Sequence, residues 1–280
     1  MTEPLARRMM RVIDHIHDHP TADLSLDALA EVAALSRFHF HRLFRALYGE
    51  TASQMVRRMR MHRAAVALRA DGTSLNQIAR RVGYPDRASF ARAFRESHGL
   101  SPAAYRLQGG PLPLLAHPKE QEPGPMPDVT LTTHPPRQLA GLPHQGNYQL
   151  IGRAFEKLAT LIAARGVATM PDGMFGVYYD DPSSVAEGDL RSHAAFEIPA
   201  DTQIAPPLEK LALPGGPVAV LLHRGPYATL PESYDLLFRG WLPQSGREPA
   251  DSPCYEHYLN SPATTPQDEL LTEICLPLAR

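Results

Sequence analysis

Leu5, Met9, Val12, Ile13 and Ile16 recur at helical spacing and predict an amphipathic opening helix. Over residues 26–48 (LDALAEVAALSRFHFHRLFRALY) the pattern gives a short helix with small apolar residues, a tight turn, and a second helix apolar at Phe40, Leu43, Phe44 and Leu47. The arrangement returns about fifty residues later, at 75–99 (LNQIARRVGYPDRASFARAFRESHG): Leu29, Ala30, Ala33 and Leu35 align with Ile78, Ala79, Val82 and Tyr84. One extra residue in the turn holding Pro85 shifts the register, and Phe40, Leu43, Phe44 and Gly49 then fall on Phe90, Ala93, Phe94 and Gly99. The chain thus predicts a duplicated helix-turn-helix. A long helix over 51–69, apolar at Met55, Met59, Ala65, Val66 and Leu68 and basic at Arg57, Arg58, Arg60 and Arg63, should join the two copies.

After residue 127 the periodicity changes. HQGNY ending at Tyr148 recurs as HRGPY ending at Tyr227, a period near 80. Each motif follows a short apolar strand, 138–142 or 218–222, and precedes an amphipathic helix, 150–165 or 230–241. An aromatic strand and a turn come next, 174–179 with DDP and 254–259 with NSP, and a last strand closes each half, 194–198 and 270–276. Two β-α-β-β units predict an α+β domain with a pseudo-twofold axis, and ligands commonly sit where such halves meet. Between the two regions, residues 109–127 are dense in Pro and Gly and read as a linker.

The second helix of each helix-turn-helix has two faces. At 100° per residue, Phe38, His41, Arg42 and Arg45 lie nearly opposite the apolar stripe of the first copy and are free to touch a partner. In the later copy the outward stripe is Ala88, Ala91, Arg92 and Arg95, flanked by Arg87 and Ser89. Arginine can donate two parallel hydrogen bonds to guanine, and a ring edge such as that of Phe38 can meet a thymine methyl.

Charge sharpens this picture. Residues 1–108 hold 17 Arg, no Lys and 10 acidic residues, a net +7; the remainder has 11 basic and 20 acidic residues, a net −9, within a total of −2. A basic front half suits a polyanion, and an acidic rear half argues against a second nucleic-acid surface. Residues 1–19 are charged and helical in pattern, so no secretory signal or membrane anchor is expected and the protein should be cytoplasmic. Cys254 and Cys275 lack metal or framework spacing and read as small buried hydrophobes; His15 and His19, at i, i+4 without a third ligand, read as a solvated helix face. No metal or cofactor is expected.

SRFHFHRLFRALYG in the first copy and GYPDRASFARAFRESHGLSPAAYR in the second closely resemble the DNA-binding domain of AraC/XylS-type transcriptional regulators, over about residues 7–107. The resemblance implies two recognition helices set into successive major grooves of double-stranded DNA. Carried over by position, the base-reading candidates are Phe38, His41 and Arg42, then Arg87, Ser89 and Arg92; Arg37, Arg45 and Arg95 complete the expected DNA-contact set. HRGPY, the DDP turn, YEHYLNSP and TEICLPL look like a GyrI-like effector-binding domain over about 128–279. This implies a bulky aromatic or cationic effector held between the halves, with Glu256 as pocket carboxylate and Tyr178, Trp241 and Tyr258 as aromatic candidates. Tyr148 and Tyr227 are read as helix-start contacts outside the site.

The expected fold class is therefore two-domain: an all-α tandem helix-turn-helix DNA-binding domain (1–108), the linker (109–127), and an α+β pseudo-twofold effector domain of repeated β-α-β-β units (128–280). The expected partners are DNA, a small-molecule effector and RNA polymerase. No Gly-rich phosphate loop, Gly-x-Ser-x-Gly or His-Glu-x-x-His occurs, so no catalytic residue is nominated. The alternative is a rear domain acting as a hydrolase or drug-sequestering protein.

Overall fold

The computed structural model describes residues 4–70, 72–108, 124–170 and 173–280, so the linker expected at 109–127 falls largely outside them. The N-terminal region is helical: α1 (Leu5–Asp18), α2 (Leu26–Ala33), α3 (Arg37–Tyr48), α4 (Ala52–Ala70), α5 (Leu75–Arg81), α6 (Arg87–His98) and α7 (Pro102–Gln108). The chain divides into two compact units, Met1–Arg37 with Leu47–Gln121, and Phe38–Ala46 with Glu122–Arg280. The middle of α3 thus belongs to the second unit.

In the first unit α1 buries the five apolar residues its spacing predicts, and Arg8 beside them. That arginine is not a surface charge: its Nε donates to the Ala33 carbonyl at 2.6 Å and its Nη2 to that of Ala34. It thereby satisfies the carbonyl end of α2, where Ala34 turns left-handed at φ 50°. Ser74 and Gln77 form a capping box that starts α5. Asp86 starts α6 by accepting from the Ala88 and Ser89 amides, each at 2.8 Å. The turn between these helices needs Gly83: its φ is +81°, and a Cβ there would lie 2.8 Å from the Arg60 guanidinium and the Pro20 carbonyl. Met61, Ala65 and Leu68 of α4, Ile78 and Ala79 of α5, Phe90 and Phe94 of α6 and Tyr105 of α7 share one core. Val66, expected on the apolar side of α4, is exposed.

The second unit carries β1 (Val129–His134), β2 (Arg137–Gln145), α8 (Gly152–Arg165), β3 (Met174–Tyr178) and β4 (Arg191–Ile198), then β5 (Glu209–Leu213), β6 (Gly216–Arg224), α9 (Leu230–Asp235), β7 (Cys254–Tyr258) and β8 (Leu271–Pro277). Each half therefore opens with a strand, β1 or β5, that the sequence pattern did not reveal; both are mostly exposed and lack the alternation that marks a half-buried strand. The eight strands form one antiparallel sheet in the order β1-β6-β8-β7-β3-β4-β2-β5. β3 and β7, equivalent in the two halves, pair at its centre, while β1 joins the second half through β6 and β5 joins the first through β2. The leading strands are thus exchanged between halves.

One face of the sheet takes α8, with Ala140, Leu142, Leu158, Ile162, Ala194 and Ile198 in contact. The other face folds apolar residues of both halves together, among them Leu139, Phe175, Val220, Tyr255 and Cys275. Both cysteines are buried free thiols, as expected.

Candidate functional site

β3 and β7 meet along the register Gly176↔Glu256 and Tyr178↔Cys254. Alternation along β7 sends Cys254, Glu256 and Tyr258 to one face and Tyr255 to the other, where it joins the Phe175 core. On the first face, between α8 and α9, lies a cavity of about 790 Å3. Its polar floor is Glu256 with Tyr178 and Tyr258; its walls include Tyr148 and Phe155 on one side and Tyr227, Tyr234 and Phe238 on the other.

Glu256 is 3% exposed. Tyr258 donates to its Oε2 at 2.8 Å, Tyr234 donates to its Oε1 at 3.1 Å, and the Tyr178 and Tyr258 hydroxyls lie 2.7 Å apart. Burial pushes the Glu256 carboxyl up to about 7, against the opposing pull of the Tyr258 and Tyr234 hydroxyls and the Arg42 charge. Burial, and then the carboxylate itself, hold the Tyr178, Tyr234 and Tyr258 phenols well above their ordinary value. They remain neutral donors. A carboxylate held by phenols in such a cleft is stabilised by positive charge nearby, part of which the Arg42 guanidinium supplies.

The pseudo-twofold explains why the floor formed by β3 and β7 carries a single carboxylate. Its mate across the register is Gly176, where a Cβ would lie 2.7 Å from the Tyr258 hydroxyl and 2.9 Å from that of Tyr178. The empty side-chain position on β3 makes room for the phenols that serve the carboxylate on β7.

Of the four residues expected here, Glu256, Tyr178 and Tyr258 line the cavity and Trp241 does not. The reason is local. After α9 the chain winds as a π-helix over Leu236–Trp241. Each residue of this wider i→i+5 turn advances through a smaller angle than 100°, so Trp241 falls out of phase with Tyr234 and Phe238. Tyr148 and Tyr227, read from sequence as helix-start contacts, both line the cavity. The Tyr148 hydroxyl lies 2.9 Å from the Arg191 carbonyl and 3.1 Å from that of Asp180, at the β3–β4 connection and not at a helix start. Their recurrence in HQGNY and HRGPY was the available signal. Tyr234 has no such signal, because nothing local marks it.

The nominated DNA-contact residues are in two different situations. On α6, Arg87, Arg92 and Arg95 are exposed, while the Ser89 hydroxyl is committed to Asp86, at 2.9 Å from its Oδ2. On α3 the stripe expected to be free is buried at His41 and half-buried at Phe38 and Arg42, while Arg45 stays exposed. His41 is 2% exposed, with Nδ1 3.3 Å from the Asp181 carboxylate. Arg42 is half-buried: Nη2 donates to the Asp180 carbonyl at 3.1 Å, and Cζ stands 4.5 Å from the centre of the Tyr234 ring. The Phe38 ring lies 6.3 Å from that of Tyr179, and Arg42 and Arg45 both line the cavity. Burial alone would raise the Asp181 carboxyl, but the His41 bond, the Arg42 charge and Ser183 outweigh it and leave it below the carboxylate range. Arg37, at the start of α3, is half-buried and 3.5 Å from Asp27.

Among the described residues no cluster of three or more His, Cys, Asp or Glu could hold a metal, and no helix is long and apolar enough to cross a membrane.

Comparison with known proteins matches residues 127–279 to the GyrI-like small molecule binding domain and residues 29–108 to a helix-turn-helix domain. The MmsAB operon regulatory protein of Pseudomonas aeruginosa is 35% identical over 92 residues, 33% of this chain and 30% of its own. The regulatory protein SoxS of Salmonella typhimurium is 30% identical over 95 residues, 34% of this chain and 89% of its own. The crystal structure of the EcmrR C-terminal domain aligns with 55% of this chain and 98% of its own, at 16% identity and a TM-score of 0.49. The chain spans only 30% to 40% of the length of several curated regulators that it matches.

Proposed function

The chain belongs to the AraC-type regulators through its helix-turn-helix region and to the GyrI-like small molecule binding family through residues 127–279, and from that premise we propose that it is a DNA-binding regulator responsive to an aromatic cation. Residues 1–108 supply the DNA surface through the arginines of α3 and α6, and residues 128–280 supply the effector site, with 109–127 as linker. The observation that carries the effector class is Glu256, a buried carboxylate bonded by tyrosine hydroxyls at the floor of a cavity whose walls include the rings of Tyr148, Phe155, Tyr227, Tyr234 and Phe238. Desolvation makes its ionised form costly until a cation arrives, and the ring faces around it favour that cation further.

Calorimetric titration with benzyltrimethylammonium and its uncharged isostere neopentylbenzene tests the reading. The wild type should prefer the cation, and Glu256→Gln should lose that preference while retaining the neutral compound. A preference that survives in a folded Glu256→Gln protein removes Glu256 from the role. A carboxyl poised near neutrality also suits a general base. Mass spectrometry of the titrated compounds therefore accompanies the experiment, and turnover would replace the regulatory reading with an enzymatic one.

A further inference from the structure

The outward stripe of α3 and the mouth of the effector cavity are one surface, although base contact and cavity contact are incompatible uses of it. Arg42 stands over the face of Tyr234, the ring whose hydroxyl holds Glu256. A cation is thus already seated on the cavity's aromatic wall. Around it His41 meets Asp181, the buried His39 places Nε2 2.8 Å from the Ser252 carbonyl, and the His39 ring stacks 6.0 Å from Phe238. A recognition helix laid in a major groove must present this stripe to base edges. The same guanidinium cannot serve both.

The duplicate helix provides an internal control. Phe38, His39 and His41 make these contacts on α3, and their counterparts on α6 are Ala88, Ser89 and Ala91. The two copies agree at the arginines, Arg42 with Arg92 and Arg45 with Arg95, and differ at the aromatic and imidazole positions that seat α3. Among the described residues, α6 keeps Arg87, Arg92 and Arg95 exposed.

We propose that the mouth of the effector cavity is an intrachain docking surface for α3, with Arg42 as the resident cation, and that an effector cation displaces Arg42 and frees α3 to read DNA. This rests on the functional reading above and adds its regulation. Cation and DNA then bind with positive linkage, each raising the affinity of the other by the same factor. The apparent affinity of each ligand is reduced by the fraction of molecules in which α3 is docked.

The test uses the full-length protein and a duplex selected from a random pool by Asp181→Asn, which weakens the seat of His41. Asp181→Asn and, independently, His39→Ser, which installs the residue of the duplicate, should bind that duplex at least about tenfold more tightly than the wild type without effector. Saturating benzyltrimethylammonium should tighten wild-type DNA binding and add little to either variant. Arg42→Ala should tighten benzyltrimethylammonium binding, since it removes the competitor, whereas an arginine that merely shapes the wall predicts weaker binding. Circular dichroism identifies a variant that fails to fold, and the wild-type linkage decides the question without any variant. Equal DNA affinity with and without the cation, or weaker cation binding by a folded Arg42→Ala protein, overturns the docking proposal and leaves the functional reading standing. Failure to bind DNA or any cation overturns both.

Discussion

Glu256 concentrates in one side chain a cost of this structure and the use proposed for it. Its carboxyl is pushed up to about 7 by burial, above the 4.5 of an exposed glutamate. Between those values the folded state holds a proton that the unfolded state has released, so stability falls as pH rises from about 4.5 to about 7 and is level beyond. Integrated over the window the cost is on the order of 3 kcal/mol. Glu256→Gln should remove that component, so its melting temperature should exceed the wild type's at pH 8 by more than at pH 4.5. The effector profile runs the other way: benzyltrimethylammonium affinity should climb by up to about tenfold per pH unit below 7 and level off above it, with the profile absent in Glu256→Gln. Gly176 is the companion residue. Gly176→Ala would drive a methyl into the Tyr178 and Tyr258 hydroxyls, and calorimetry should show weaker cation binding than in the wild type, with lower thermal stability. Unchanged binding would separate the phenols from the carboxylate's function.

Among the elements, α3 and α6 show how one sequence pattern acquires two settings. Their apolar stripes were legible because helix geometry alone fixes which residues share a face. Phe40, Leu43 and Phe44 are fully buried on α3, as are Phe90 and Phe94 on α6. The polar stripe has no such local guarantee, since what covers it comes from elsewhere in the chain: His39 bonds a residue 213 positions away and His41 one 140 positions away. For α6 the expectation is direct. Arg92→Ala should cost about 1 to 3 kcal/mol at one base position and relax specificity there. Arg95→Ala should weaken all duplexes alike and reduce the salt slope. Binding assays over two salt concentrations and a mutated-site series distinguish them. Asp86→Ala removes the cap that starts α6 and binds the Ser89 hydroxyl, and should lower stability by roughly 0.5 to 2 kcal/mol in denaturant titration.

At the scale of the whole molecule, the exchange of β1 and β5 makes the two halves of the second unit interdependent. β1 covers the edge of β6, and β5 covers the edge of β2. Deleting Val129–His134 should therefore disturb the second half, to which β1 is distant in sequence, by baring a strand edge. Hydrogen exchange should show lost protection in β6 with the deletion. If protection is lost only around β2, the leading strands are not structural partners as described.

The sequence by itself determined the duplicated helix-turn-helix, the halves of the effector region and the parity that puts Glu256 and Tyr258 on one strand face. These follow from periods of 3.6 and 2 that any short stretch must obey. It did not mark β1 and β5, whose exposed residues carry no alternation, nor the π-winding that turns Trp241 away from the cavity. Tertiary structure alone decided that Tyr234 would bond Glu256, that Gly176 would give the phenols room, and that Arg42 would lie on a cavity wall. Such contacts join residues brought together by strand exchange and helix docking, and no local spacing encodes them. The chemistry of each side chain was written along the chain, but its partner was chosen by the fold.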